Sequence, residues 1–286
     1  MGAERGRPLG ERRVALIVSY AGGAWHGFQR QPTSASVQGE LEKALATLCG
    51  PPVPVRGAGR TDAGVHAAGQ VADFLLPASC RIPTPRLPRA IASHLSRDIV
   101  PWSAHDVAAD FHSRKHALGK RYRYLIWRAG PVPPFLSPYC LPYQGALDVA
   151  AMAAAARLLV GRHDFSAFAG SARPVTDAVR TVVDCRLRVG PRALAVEVEA
   201  DGFLYRMVRA IAGTLLEVGR GAMAPLAVAS LLAGGRRGDA GASLPPQGLC
   251  LLWVRYPGQA GVPAPDDGSA WPPAPGDALL APFPTT

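Results

Sequence analysis

Apolar runs of strand length arrive in pairs along this chain, with helical patterns between the pairs. Residues 53–58 and 69–76 flank a polar, glycine-containing loop at 59–68. Residues 178–189 and 193–200 read as a hairpin, the later strand alternating Leu194, Val196 and Val198 inward with Glu197 and Glu199 outward. Such pairing favours an α+β fold with a largely antiparallel sheet. Further strands are expected at 14–20, whose continuous apolar run suits burial on both faces, at 99–107 and at 249–255. At 120–128, Tyr122, Tyr124 and Ile126 share one face, and Arg121, Arg123, Leu125 and Trp127 the other. Val37, Leu41, Leu45 and Leu48 predict a helix over 36–49, with Ser36 as N-cap and Pro51 and Pro52 as its stop. Helices are also predicted at 86–95, 148–160, 204–219 and 225–233. The helix at 204–219 carries an apolar stripe of Leu204, Met207, Val208, Ile211, Leu215 and Val218.

At 286 residues the chain has ample material for a core, and 48% hydrophobic against 18% charged residues argues against disorder of the whole. Residues 257–286 hold 8 prolines and little periodicity, and read as an extended or disordered tail. The longest apolar stretch, 146–160, is broken by Asp148 and Arg157 and falls short of a membrane span. Residues 1–13 lack the apolar centre of a secretory signal, so a cytoplasmic protein is expected. Five scattered cysteines with no CxxC pair argue against a disulfide framework and a structural zinc site. Up to Tyr256, 31 basic residues stand against 18 acidic ones, a balance that attracts polyanions, nucleic acid first. A GC-biased genome would enrich arginine without any such function.

Residues 57–70, Gly-Ala-Gly-Arg-Thr-Asp-Ala-Gly-Val-His-Ala-Ala-Gly-Gln, carry the most information. A dinucleotide fingerprint would need glycine where Asp62 stands and a helix directly after, but a strand pattern follows. A P-loop would need Gly-Lys-Ser/Thr. A metal site from Asp62 and His66 lacks a nearby third ligand, with His112 and His116 left open as distant ones. A plain turn capped by Asp62 fits the spacing as well.

The run from Gly59 to Ala67, followed by Gly69-Gln70-Val71, resembles the signature loop of the TruA family, the tRNA pseudouridine synthases acting on the 3′ side of the anticodon stem-loop. Other stretches are similar to the family's pattern. They are Gly27-Phe28-Gln29-Arg30-Gln31-Pro32, Ser36-Val37-Gln38, Phe111-His112-Ser113-Arg114, Lys120-Arg121-Tyr122-Arg123-Tyr124 and Phe203-Leu204-Tyr205-Arg206-Met207-Val208-Arg209. The ordered matches cover roughly residues 13–255, and segments 136–145 and 169–175 depart from the pattern.

The resemblance implies the pseudouridine synthase α+β fold, two related halves forming an extended, mostly antiparallel sheet flanked by helices with the catalytic cleft between them. Residues 13–110 would carry the catalytic loop and 111–256 the tyrosine and arginine motifs, after a flexible N-terminus at 1–12. It implies isomerisation of uridine at positions 38, 39 and/or 40 of the tRNA anticodon stem-loop, by a homodimer, with neither cofactor nor metal. The reaction breaks the bond from ribose C1′ to uracil N1 and joins C1′ to C5, so no redox partner is needed. It requires a carboxylate that engages sugar or ring, the role implied for Asp62, and Arg209 is implied as the cation that keeps it ionised. Tyr205, Arg209, Ala212 and Gly213 would share a stripe beside the apolar one. Tyr122 would stack on the extracted uracil, with its hydroxyl as the base that takes the C5 proton, while Arg60 would fill the space that the flipped nucleotide leaves. Gly64 would permit close RNA approach. His66 has two readings, a substrate contact and a histidine bonded to the loop backbone. Arg30, Arg114, Lys115, Lys120, Arg121 and Arg123 are candidate phosphate contacts. Two rivals remain: a non-catalytic tRNA-binding protein on the same fold, and a hydrolase using Asp62 and His66 as an acid/base pair.

Overall fold

The structure, a computed structural model, describes residues 10–170 and 177–265. Most of the expected N-terminal segment and proline-rich tail, and 171–175 of the departing segment, lie outside the described residues. Two compact units divide the chain, residues 10–118 with 253–265 and residues 119–252.

The first unit is built on three long antiparallel strands in the order β4-β1-β3: β1 (Arg12–Tyr20), β3 (His66–Leu76) and β4 (Ile99–Val107). Val14 to Val18 are fully buried, as the unbroken apolar run requires. Helix α1 (Val37–Cys49) starts where Ser36 accepts the Gly39 amide at 3.3 Å, and ends at Gly50, whose φ of 89° suits glycine. A short helix, α2 (Leu87–Ala92), follows a 3-10 turn at Thr84–Arg86. Two expectations shift. The strand expected at 53–58 shrinks to β2 (Arg56–Gly57), and the loop after it ends at Val65, because β3 begins at His66 and keeps pairing with β1 through a bulge. Just past Tyr256, residues Gly258–Ala260 form a 3-10 turn and Val262 is buried.

The second unit has the strand order β5-β9-β8-β7: β5 (Gly119–Trp127), β9 (Ala193–Ala200), β8 (Val179–Val189) and β7 (Gly161–Asp164), all antiparallel. A two-residue strand, β6 (Leu141–Pro142), runs parallel to β5. Strand β10 (Leu249–Arg255) gives its first four residues to this unit and its last three to the other. The helices are α3 (Val149–Leu158), capped by Asp148, then α4 (Met207–Gly219) and α5 (Ala227–Leu232).

Strand β9 corrects the sequence reading. Its alternation is as expected, yet Glu197 and Glu199 do not face solvent, and all eight residues are buried. The register sets Arg123 opposite Glu197 and Arg121 opposite Glu199, so the face away from Val196 and Val198 is closed by ion pairs instead of by water. Helix α4 is buried nearly all round, wider than the stripe expected, and Tyr205 lies in the turn before it and not on it.

Candidate active site

Asp62 stands at the head of a tight turn. The Val65 amide donates to the Asp62 carbonyl at 3.1 Å, and Gly64 takes φ 79° inside the turn, where a Cβ would be strained. Asp62 is half-buried and Arg60 exposed, whereas Thr61 and His66 are buried. The loop is braced from below by neutral hydrogen bonds. The hydroxyls of Tyr20 and Thr61 meet at 2.8 Å, and Gln70, fully buried, donates to the Gly59 carbonyl at 2.9 Å. His66 Nδ1 accepts the Gly22 amide at 3.0 Å, which ties that nitrogen to the protein.

A second layer comes from the stretch Gly22–Phe28. Gly64 donates to the Trp25 carbonyl at 3.3 Å, Phe28 donates to the Thr61 carbonyl at 3.2 Å, and Gln38 at the start of α1 donates to the Phe28 carbonyl at 2.9 Å. Contact here is too close for side chains. A Cβ on Gly22 would lie 2.0 Å from the Val65 oxygen, and one on Gly57 would lie 2.3 Å from the buried Phe28 ring. The Gly-Phe-Gln-Arg motif and the Asp62 loop are therefore one packed object. Sequence reasoning missed Tyr20, Gly22, Thr61 and Gln70 as its supports. Their pairings span 11 to 44 residues and leave no local periodicity.

In the second unit, Tyr122 is buried on the face of β5 shared with Tyr124, and the edge of its ring meets Phe203 at 5.0 Å between centroids. Arg209, 8% exposed in the first turn of α4, donates from Nε to the Leu244 carbonyl at 2.6 Å, while the Leu244 amide returns a bond to the Arg209 carbonyl. This double clasp fixes the direction of the guanidinium. Gly213, one turn on, lies against the same segment, since a Cβ there would sit 1.9 Å from the Ala242 oxygen.

The candidate phosphate contacts separate into two kinds. Arg114 and Lys115 are exposed, and Lys120 half-buried. Arg30 is exposed and pairs with Glu42 at 3.0 Å. Arg121 and Arg123 are instead committed to the protein: Arg123 binds Glu197 at 2.7 Å, and Arg121 binds Glu199 at 2.7 Å and Asp184 at 2.9 Å. Burial works to raise the Glu197 carboxyl, but hydrogen bonds and charge from Arg123 and Arg186 outweigh it and hold the group below the ordinary carboxylate range.

Arg114 itself sits on an anchored turn. Asp73, fully buried, accepts the Ser113 amide at 2.9 Å and pairs with Arg13 and Arg56. Burial pushes this carboxyl up, and the Arg56 and Ser113 hydrogen bonds hold it down. Tyr256, 143 residues further on, donates to the Ser113 carbonyl at 2.6 Å. Among the described residues no three His, Cys, Asp or Glu side chains gather as a metal-ligand set.

The family model described as tRNA pseudouridine synthase matches residues 16–114 and 155–257, so it brackets Arg60, Asp62 and Arg209, while Lys120 and Tyr122 fall between its two blocks. The chain is 46% identical over 271 residues to a tRNA pseudouridine synthase A of Solidesulfovibrio magneticus, covering 91% of this chain and 97% of that one. It is 43% identical over 243 residues to the tRNA pseudouridine synthase A of Syntrophotalea carbinolica (85% and 96% covered) and 44% over 246 residues to that of Shouchella clausii (85% and 93%). The chain belongs to the tRNA pseudouridine synthase A family, a family of isomerases.

Proposed function

We propose that this chain isomerises uridine to pseudouridine in tRNA, at positions 38, 39 and/or 40 of the anticodon stem-loop, with Asp62 as the catalytic carboxylate. The observation that carries the reading is the Asp62 turn: a half-buried carboxylate on backbone braced by Tyr20–Thr61 at 2.8 Å and Gln70–Gly59 at 2.9 Å. Rigid support of that kind suits a group that must meet one atom of a flipped nucleotide. Arg60, exposed two residues before it, takes the space left in the stem. Tyr122 stacks on the displaced uracil, worth about 1–3 kcal/mol. Arg209 serves as the cation for Asp62, and its Nε is held by the Leu244 carbonyl. Gly64 keeps the loop slim, and Arg30, Arg114 and Lys120, with His66 beside the loop, contribute to RNA placement. The enzyme works as a cytoplasmic homodimer without a cofactor. No helix among the described residues is long and apolar enough to cross a membrane.

The test is tritium release from unmodified tRNA labelled at uracil C5, comparing the native chain with Asp62→Asn. Joining C5 to C1′ frees that label to solvent, while N1, released from the sugar, takes up a solvent proton. Release by the native chain alone supports the reading. Comparable release by Asp62→Asn removes Asp62 from its role, and salt-sensitive binding without release favours a binding protein.

A further inference from the structure

Arg206 is, among the described residues, the one non-glycine with a positive φ (59°, ψ 11°). It occupies the third position of a turn that the Met207 amide closes on the Leu204 carbonyl at 3.1 Å, a place glycine or asparagine fills at least cost. The unfavourable conformation is not repaid by burial, since both Arg206 and Tyr205 are exposed, Tyr205 by 50%. It is imposed by its surroundings. Gly170 donates to the Tyr205 carbonyl at 2.7 Å, and a Cβ at Gly170 would lie 2.9 Å from Arg206 Cβ. The Arg206 carbonyl then accepts the Ala210 amide at 3.0 Å and opens α4.

The turn holds the Arg206 guanidinium over the Tyr205 ring, 4.9 Å from its centroid, in a stack that faces solvent. Backbone strain kept at an exposed side chain points to a contact made in the bound state. A planar guanidinium matches a phosphate, and an exposed tyrosine matches an unpaired base. We propose that Tyr205 and Arg206 form a preset RNA contact, Arg206 on a backbone phosphate and Tyr205 on an unpaired base of the anticodon loop, three residues from Arg209. This proposal rests on tRNA being the substrate.

The full chain, Arg206→Asn and Tyr205→Leu would be compared for affinity toward an unmodified anticodon stem-loop RNA across a salt series, with thermal melts and tritium release alongside. Arg206→Asn should weaken binding about tenfold and reduce the slope of log K against log salt by about one. Its melting temperature should hold or rise, because asparagine accepts the left-handed conformation more readily. Tyr205→Leu should weaken binding about fivefold or more with the slope unchanged. Native affinity and slope in Arg206→Asn would overturn the contact, as would a lowered melting temperature with binding intact. A native chain that binds, responds to both substitutions and releases no tritium would support the contact and overturn the enzyme reading. Turnover by the native chain with both variants unaffected would overturn the contact alone.

Discussion

The loop that carries Asp62 and the strand pair that carries Tyr122 are stiffened by different means. Beneath the loop lie hydroxyls, an amide side chain and an imidazole, joined by hydrogen bonds at 2.8–3.0 Å. Between β5 and β9 lie Arg121, Arg123, Glu197 and Glu199, with Arg186 and Arg188 reaching in from β8. Those charges sit on the face of β5 opposite Tyr122, as strand alternation requires. The contrast has a chemical sense. Full charges at hydrogen-bond range would add a strong field beneath the Asp62 turn, whereas neutral groups position backbone with a smaller one. On the back of a sheet the same charges only need to lock register.

The sharpest way to break this comparison is Glu197→Gln. It keeps the shape but leaves Arg123, 3% exposed, short of its counter-charge. Breaking such a pair by changing one partner costs about 3–5 kcal/mol, read as a lowered melting temperature and denaturant midpoint of the full chain. A loss under about 1 kcal/mol would show the network to be no stronger than a surface pair. The pH dependence has a defined sign. Folding depresses the Glu197 and Asp73 carboxyls from ordinary values of 4.5 and 3.8. Each therefore contributes stability above its unfolded pKa and loses it as pH falls through the folded one. Acid melts should begin to drop near pH 4.5 and continue below 3.8, and Glu197→Gln should flatten the upper part of that fall. An acid limb identical in mutant and native chain would remove Glu197 as its source.

What was legible in the sequence follows the same division. Strands 99–107 and 249–255 and the Ser36 cap were readable because apolar alternation and capping are local, and the structure repeats them residue for residue. The Asp62 segment stood out through its residue types. The burial of Glu197 was hidden, because alternation names faces without saying what covers them, and its partner Arg123 lies 74 residues away. Strand β7, Gly-Arg-His-Asp, carries no apolar signal and exists through its ladder to β8. Tyr20 and Thr61, 41 residues apart, meet only once β1 and β3 pair.

Glycines give a second, smaller contrast. Gly22→Ala would set a methyl 2.0 Å from the Val65 carbonyl oxygen, and backbone on both sides must give. We expect a loss of about 1–3 kcal/mol and, because the shift passes into the Asp62 turn, a kcat lower by about 10–100-fold. Gly219→Ala in the second unit meets mainly the Met152 side chain, at 2.5 Å from sulfur, and a thioether can turn aside. It should cost about 1 kcal/mol and leave kcat unchanged. Equal kinetic effects from the two substitutions would show that packing strain anywhere in the chain, and not the brace under Asp62, limits turnover.

The finest test separates the brace from ordinary packing. Tyr20→Phe deletes one hydroxyl and leaves that of Thr61, in a residue only 6% exposed, without the partner at 2.8 Å. An unsatisfied buried hydroxyl costs about 1 kcal/mol or slightly more. If the pair aims Asp62, kcat should fall several-fold with KM for tRNA unchanged. Thr61→Ser should keep most of the native rate, since the hydroxyl remains. The double variant Tyr20→Phe with Thr61→Val removes both polar groups, so stability should recover toward native while kcat stays low. Recovery of rate together with stability would mean that the hydroxyl pair is needed only for folding. Failure of both to recover would place its role in contacts beyond the pair.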